Sequence, residues 1–171
     1  MRELVDATRL ERLLRALGAA AAEDGACYLV GGATAVLEGW RATTVDVDVK
    51  LVPEQDSVLR AIPAIKNELR LNVETAWPGD FIPLPSGWES RSPTVAKHGR
   101  LAFAHLDFYS QALAKLERAH ERDLEDVRAM LDRGLVERQR LFELFEEIEP
   151  ALYRFPAVDP RSFRLRVERM G

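Results

Sequence analysis

The sequence predicts an α+β fold, with a small mixed sheet of about four strands, flanking helices and a helical C-terminal part. Short apolar runs and period-two alternation, which are typical of strands, all lie before residue 105. From residue 108 onward the apolar residues recur at helical spacing. We therefore expect a core with an N-terminal helix over residues 1–106 and a helical region over residues 107–171 that packs on it.

The first elements follow from spacing and from glycine. Leucines at helical spacing predict an amphipathic helix over residues 6–23. The apolar run 27–30 precedes Gly31-Gly32 and is predicted to be a buried strand. Residues 33–38 then predict a short helix that ends at Gly39.

A second strand is predicted where apolar and charged residues alternate. The apolar positions are Val45, Val47, Val49 and Leu51, and the charged positions between them are Asp46, Asp48 and Lys50. Because successive side chains of a strand point to opposite faces, both aspartates lie on its polar face.

The remaining elements are predicted more coarsely. We expect a helix over 54–69 that breaks at Pro63, because proline cannot donate the intrahelical hydrogen bond. Further along the chain we expect a strand over 71–76, a long loop over 77–92, a short strand over 101–104, helices over 108–133 and 138–148, and a short final helix.

Composition excludes several classes of protein. The net charge of −4 gives no general attraction to polyanions, so nucleic-acid binding would need a local basic patch. Cys27 is the only cysteine, which excludes an intrachain disulfide and a CxxC site and suits a cytoplasmic protein. No stretch approaches the roughly 20 apolar residues that span a bilayer. The three histidines lack zinc-ligand spacing, and Walker-type and hydrolase-elbow motifs are absent.

The order of strand, Gly31-Gly32 turn, helix and Asp46-Val47-Asp48 strand has a physical rationale. Glycines in a turn let backbone N–H groups approach a phosphate closely. Two carboxylates on one face of a strand, about 6.5 Å apart, can converge on hard cations. Together these features indicate a site for a phosphorylated ligand and a divalent metal.

Residues 28–35 (YLVGGATA) and 41–49 (RATTVDVDV) resemble the signature of the polymerase-beta-like nucleotidyltransferase superfamily. The chain is similar, more narrowly, to the nucleotidyltransferase-like family DUF6036, whose relatives include toxin-antitoxin nucleotidyltransferases. The likeness extends to the loop segments 80–83 and 87–92 and to residues 115–126, and it covers roughly residues 25–160.

The resemblance implies that Gly31, Gly32 and Thr34 contact nucleotide phosphates and that Asp46 and Asp48 bind Mg²⁺ or Mn²⁺. It also implies a third carboxylate on a later strand that binds a metal and accepts the proton of the attacking hydroxyl. Glu74, in Val73-Glu74-Thr75, is the expected residue, and the alternatives are Asp80 and Asp107.

Several other residues carry two interpretations. Arg41, Thr43 and Thr44 either bind phosphate oxygens or cap the loop, and Lys115 either reaches a triphosphate or is a solvated helix lysine. Trp77, Phe81 and Trp88 either line a base pocket or anchor the loop by packing. Arg122, Asp123 and Asp126 are expected to brace the helices against the strand that carries Asp46 and Asp48. The C-terminal arginines 161, 164, 166 and 169 either bind RNA or pair with neighbours such as Glu168.

The predicted function is metal-dependent transfer of a nucleoside monophosphate from a nucleoside triphosphate to an acceptor hydroxyl on protein, RNA or a small molecule. The alternative is a non-catalytic nucleotide-binding module or a toxin-antitoxin partner built on the same fold. Expected partners are a nucleoside triphosphate, with RNA or a cognate toxin-antitoxin protein as further possibilities, and no membrane.

Overall fold

A computed structural model of the chain describes residues 3–170, which form the predicted α+β fold. In that range the α-helices are α1 (Ala7–Ala20), α2 (Gly32–Glu38), α3 (Asp56–Leu69), α4 (Phe108–Arg118), α5 (Glu121–Asp132), α6 (Arg138–Ile148) and α7 (Pro160–Met170). The strands are β1 (Gly25–Val30), β2 (Asp46–Val52), β3 (Asn72–Glu74), β4 (Thr94–His98) and β5 (Leu101–His105). Two 3-10 segments, Pro78–Asp80 and Glu149–Arg154, complete the regular structure.

The five strands form one mixed sheet in the order β3-β2-β1-β5-β4. β1 is antiparallel to β2 and parallel to β5, and β2 is parallel to β3. β4 and β5 form an antiparallel hairpin, in which Gly99 adopts a left-handed φ of 55°. Strand β4 was not predicted from the sequence, and its residues Thr94–His98 precede this Gly-Arg turn.

The chain divides into two compact units. The first comprises Met1–Trp77 and Ser92–His105 and holds the sheet with α1, α2 and α3. The second comprises Pro78–Arg91 and Leu106–Gly171 and holds the helices from α4 onward. The loop segment 78–91 belongs to the same compact unit as the helices from α4 onward.

One face of the sheet carries the core of the first unit. Helix α1 contributes leucines at positions 10, 13, 14 and 17, and the buried strand residues are Cys27, Leu29, Val47, Val49, Leu51 and Phe103. Helix α3 adds Val58, Ile62 and Ile65. Burial of this apolar surface favours folding at roughly 25 cal/mol per Å² and fixes which face of each strand points away from the core.

Helix α1 also approaches the β4-β5 hairpin at two glycines. A Cβ atom at Gly18 or at Gly99 would overlap the backbone of the other segment. Both positions therefore require glycine for the helix and the hairpin to pack this closely.

Two helix predictions were wrong. Pro63 lies inside an unbroken α3 rather than at a break, and it is exposed, so water can hydrate the carbonyl that its missing N–H leaves unpaired. The expected helix over 108–133 is two helices. Ala119 has a left-handed φ of 56° between them, and the Asp123 side chain accepts the His120 N–H at the start of α5.

The second unit has its own apolar core and polar supports. Phe145 of α6 and Phe163 of α7 meet edge to face at 4.8 Å between ring centroids. Arg91 and Asp107 form an ion pair at 2.9 Å, and the Asp107 side chain also accepts the Tyr109 and Ser110 N–H groups at the start of α4. These bonds fasten the end of the 78–91 segment to a helix of the same unit.

Candidate active site

Strand β2 presents Asp46 and Asp48 on the face of the sheet opposite the core. Their neighbours Val47 and Val49 are fully buried in that core, whereas both aspartates are partly exposed. Because alternate residues of a strand share a face, burial of the valines directs the two carboxylates to the other side. The predicted polar face of this strand is confirmed.

Strand β3 brings a third carboxylate beside this pair. In the parallel register of β2 and β3, Asp46 pairs with Asn72 and Asp48 pairs with Glu74. Paired residues point to the same face, so Glu74 stands next to Asp48, and its side chain is exposed. The register thus favours Glu74 as the third carboxylate.

The two rival carboxylates lie in the other unit. Asp107 is 1% exposed and is occupied by Arg91 and the backbone at the start of α4. Asp80 ends a 3-10 segment. Neither residue lies on a strand of the sheet that carries Asp46.

Asn72 is a site residue that the sequence analysis did not single out. Its side-chain Nδ2 donates to Asp46 Oδ1 at 2.7 Å and to Glu74 Oε1 at 2.8 Å. The residue is 1% exposed. The sequence did contain a signal for Asn72. It alternates with Val73 and lies two residues before Glu74, which places it on the same polar face of β3 as Glu74.

The Gly31-Gly32 turn lies beside Asp48. Val30 pairs with Asp48 across β1 and β2, and a Cβ atom at Gly31 would lie 3.8 Å from Asp48 Oδ2. Gly31 has φ 61° and ψ −119°, a backbone conformation that residues with side chains rarely adopt. The turn therefore needs glycine here and brings backbone next to a carboxylate of the candidate site.

Gly32 is required for a different reason, because Thr44 fills the space next to it. A Cβ at Gly32 would overlap the Thr44 hydroxyl and lie 2.8 Å from Thr44 Cβ. Thr44 is itself held by two backbone hydrogen bonds to Val5 and by donation from its Oγ1 to the Asp46 carbonyl at 3.0 Å. Thr44 thus links the glycine turn to the start of the aspartate strand.

Thr34 and His105 support α2 from within the first unit. The fully buried Thr34 hydroxyl lies 3.2 Å from the Leu29 carbonyl and 3.0 Å from His105 Nδ1. His105 Nε2 lies 3.1 Å from Glu38 Oε1 at the end of the helix. Burial lowers the pKa of His105 and outweighs the opposing attraction of the Glu38 carboxylate. The neutral ring donates from Nε2 to Glu38 and presents its Nδ1 lone pair to the Thr34 hydroxyl, whose single hydrogen serves either Nδ1 or the Leu29 carbonyl at one time.

The predicted phosphate-binding side chains occupy different positions. Thr34 and Thr44 are buried, and their hydroxyls bond to the framework of the turn. Arg41 is partly exposed in the segment between α2 and β2, and its N–H donates to the Ala35 carbonyl. Lys115 belongs to the second unit, and it is buried, with its Nζ 2.7 Å from Asp126 Oδ2. Thr34, Arg41 and Thr44 belong to the first unit, and Lys115 belongs to the second.

Asp123 and Asp126 join helices within the second unit. Asp123 is paired with Arg118 and lies 3.6 Å from the Lys115 ammonium. Burial opposes ionisation of Asp123, but the hydrogen bond from Arg118 and the nearby Lys115 charge together lower its pKa. The ion pairs of these aspartates connect α4 to α5, while Arg122 is exposed.

The aromatic residues of the long loop are divided between the units. Trp77 lies in the first unit, where the Lys50 ammonium sits 5.0 Å from its ring centroid. Phe81 and Trp88 lie in the second unit, and Phe81 is 58% exposed. A separate cleft of about 280 Å³, lined by Glu3, Arg9, Arg12, Glu68, Leu69 and Arg70, includes none of the carboxylates or aromatic residues above.

The carboxylates fit a divalent cation that shares its ligands with a phosphate. Magnesium is commonly held by one or two carboxylates together with substrate phosphates rather than by a cage of protein ligands. Within residues 3–170 no three Asp, Glu, His or Cys side chains form a closed metal site by themselves. Two hard-oxygen side chains beside a glycine turn match that shared mode of binding.

The C-terminal arginines are partly used in ion pairs. Arg164 bonds to Glu149 and Glu168, and Arg166 donates to the Leu116 and Glu117 carbonyls. This pairing agrees with the interpretation as a solvated helix face. In the part of the chain that the structure describes, no helix has the length and apolar character needed to cross a bilayer.

Comparison with known proteins identifies the family of this chain. A search of curated proteins and a search of solved structures both give no match. The family model described as a nucleotidyltransferase of unknown function, DUF6036, matches residues 8–164, which include the glycine turn and the carboxylates on β2 and β3. The chain therefore belongs to the DUF6036 family of nucleotidyltransferases.

Proposed function

We propose that this protein transfers a nucleoside monophosphate from a nucleoside triphosphate to an acceptor hydroxyl, with Mg²⁺ or Mn²⁺ held by Asp46 and Asp48. The observation that carries the proposal is the register of β2 and β3, in which Asp48 pairs with Glu74 beside the Gly31 turn. Asp46 and Asp48 share one face of β2, and a cation bound by both would offset the repulsion between like charges at short range.

Each part of the proposed site has a distinct task. Gly31 leaves room for a phosphate to approach the backbone, since it carries no side chain, whereas Thr44 fills the corresponding space at Gly32, which supplies backbone at the start of α2. Asp46 and Asp48 hold the cation, which when bound neutralises triphosphate charge and polarises the α-phosphate. Glu74 is exposed and accepts the proton of the acceptor hydroxyl.

The proposed reaction is a single displacement at phosphorus. The acceptor oxygen forms a bond to the α-phosphorus, and the bond from that phosphorus to the oxygen of the leaving pyrophosphate breaks. The hydroxyl proton passes to the Glu74 carboxylate. Most of the catalytic effect in such reactions comes from positioning and charge stabilisation, which a rigid strand pair is suited to supply.

A label-transfer assay tests this function. Purified protein is incubated with each α-³²P-labelled nucleoside triphosphate and Mg²⁺, first alone and then with total RNA, and label bound to macromolecules is measured. Asp46→Asn and Asp48→Asn are expected to remain folded and lose transfer. Asp56→Asn, at a position 85% exposed on α3, serves as the matched control and should retain transfer.

The outcomes separate the candidate functions. Label on the protein or on RNA that requires Asp46 and Asp48 supports nucleotidyl transfer and identifies the acceptor class. Equal transfer by Asp46→Asn and the control would contradict the metal-site proposal. Nucleotide binding without transfer to any acceptor would favour the non-catalytic binding module.

A further inference from the structure

Asn72 occupies an unusual place for a neutral amide, since it is buried between two carboxylates. It is 1% exposed on the three-residue strand β3. A buried amide requires hydrogen-bond partners, because the free-energy cost of removing it from water is otherwise not offset. Asn72 finds them in Asp46 Oδ1 at 2.7 Å and Glu74 Oε1 at 2.8 Å.

The orientation of this amide is fixed by chemistry. Ionised carboxylates only accept hydrogen bonds, so a flipped amide would place the Asn72 carbonyl oxygen against two acceptors. The nitrogen must therefore face Asp46 and Glu74, and each of its two N–H groups serves one carboxylate. Hydrogen bonds to ionised groups are shorter and stronger than those between neutral groups, in agreement with the two distances.

We infer that Asn72 is a positioning residue that sets the Asp46 carboxylate for cation binding and the Glu74 carboxylate for proton acceptance, an inference that rests on the proposed function. A neutral donor satisfies one oxygen of each carboxylate without cancelling its charge. A lysine or arginine at this position would instead neutralise the pair and compete with the cation. Asp46 keeps its second oxygen for the cation, and Glu74 keeps its second oxygen for the proton of the acceptor hydroxyl.

This role differs from that of an ordinary buried hydrogen bond. Partners that orient metal ligands typically affect metal affinity or activity by about 10–100-fold when they are removed. A residue that only stabilises the strand would lower thermal stability and leave the affinity of the folded protein unchanged. A positioning role therefore predicts weaker metal binding by the folded variant, and a purely structural role predicts lower thermal stability with unchanged metal affinity.

The experiment measures Mn²⁺ binding by electron paramagnetic resonance of the free ion, with and without ATP. Asn72→Leu keeps similar volume and removes both donors, and Asn72→Ser keeps one short donor. Asn67→Leu makes the same change at an exposed position of α3 and is the matched control. Circular dichroism and thermal unfolding of each metal-free variant are recorded in parallel.

Asn72→Leu is expected to bind Mn²⁺ about 10–100-fold more weakly than wild type while folded, with Asn72→Ser intermediate and Asn67→Leu unchanged. If Asn72→Leu fails to fold, weaker binding by folded Asn72→Ser carries the same conclusion. If wild type binds Mn²⁺ and the Asn72 variants bind it with an affinity within about twofold of wild type, this inference is overturned and the proposed function stays intact. Absence of Mn²⁺ binding by wild type, with or without ATP, overturns both.

Discussion

Replacement of Gly32 by alanine tests the geometry that joins the glycine turn to the aspartate strand. The added Cβ would overlap the Thr44 hydroxyl and lie 2.8 Å from Thr44 Cβ and 3.4 Å from Cγ2. Thr44 has little room to retreat, because its backbone bonds to Val5 at 2.8 and 2.9 Å and its hydroxyl bonds to the Asp46 carbonyl.

The size of the effect follows from two opposing terms. Overpacking a fixed site lowers the free energy of unfolding by about 1–3 kcal/mol, and replacing glycine by alanine in a helix raises it by up to about 1 kcal/mol. We expect Gly32→Ala to lower the free energy of unfolding by about 1–2 kcal/mol, as measured by urea denaturation. The Thr44→Ala background lacks the hydroxyl and Cγ2, so the destabilisation caused by Gly32→Ala should be about 1 kcal/mol smaller there than in wild type.

Gly39→Ala provides a matched control. Gly39 has open space around it but a left-handed φ of 87°, so alanine there causes backbone strain without a clash. Its cost should be the same in the Thr44→Ala background. A Gly32→Ala protein as stable as wild type, or additive effects with Thr44→Ala, would refute the packing argument.

Two further predictions concern buried charges. Lys115→Met leaves Asp126 without its 2.7 Å partner and should reduce the free energy of unfolding by about 3–5 kcal/mol in urea denaturation. Burial holds the folded-state pKa of His105 below the ordinary histidine value of 6.5, so the unfolded chain binds more protons as the pH falls below that value. Stability should therefore decrease from pH 7 toward pH 5, and His105→Gln should flatten the decrease.

Each of these predictions has a clear contrary result. Exposed Lys97 on β4 is the control for Lys115, and Lys97→Met should change stability by no more than about 0.5 kcal/mol. A similarly small effect at Lys115 would show that its ion pairs contribute little. An unchanged pH dependence in His105→Gln would mean that other groups cause the acid sensitivity.

Local pattern predicted the first part of the fold well. Alternation of valines with Asp46 and Asp48 fixed the polar face of β2, because the core accepts only the apolar side of a strand. The Gly39 end of α2 followed from the left-handed conformation that glycine adopts easily. In both cases the decisive interaction lies within a few residues of the chain.

The errors arose where distant residues or solvent decide the outcome. The division between α4 and α5 depends on Ala119 in a left-handed conformation, which alanine disfavours, and on buried pairs of Lys115 with Asp123 and Asp126. Pro63 is exposed and lies inside an unbroken α3. Neither feature is visible in hydrophobic periodicity.

The candidate site was predicted in part. The sequence indicated the glycine turn and the three carboxylates, but the pairing of Asp48 with Glu74 depends on strand register, which a single sequence does not encode locally. Asn72 was missed for the same reason, because its role appears only when β3 lies beside Asp46. The hydrogen bonds of Thr34 and Thr44 within the fold were not predicted, because the buried partners of a hydroxyl cannot be read from its neighbours in sequence.

The most direct test of the proposed site is titration of the protein with the four nucleoside triphosphates, with and without Mg²⁺, monitored by calorimetry. Wild type, Asp46→Asn, Asp48→Asn and the exposed control Asp56→Asn are compared under the same conditions. We predict Mg²⁺-dependent binding of at least one triphosphate by wild type and the control, and its loss in both site variants. Binding that is absent from wild type, or equal in all four proteins, would contradict a nucleotide and metal site at Asp46 and Asp48.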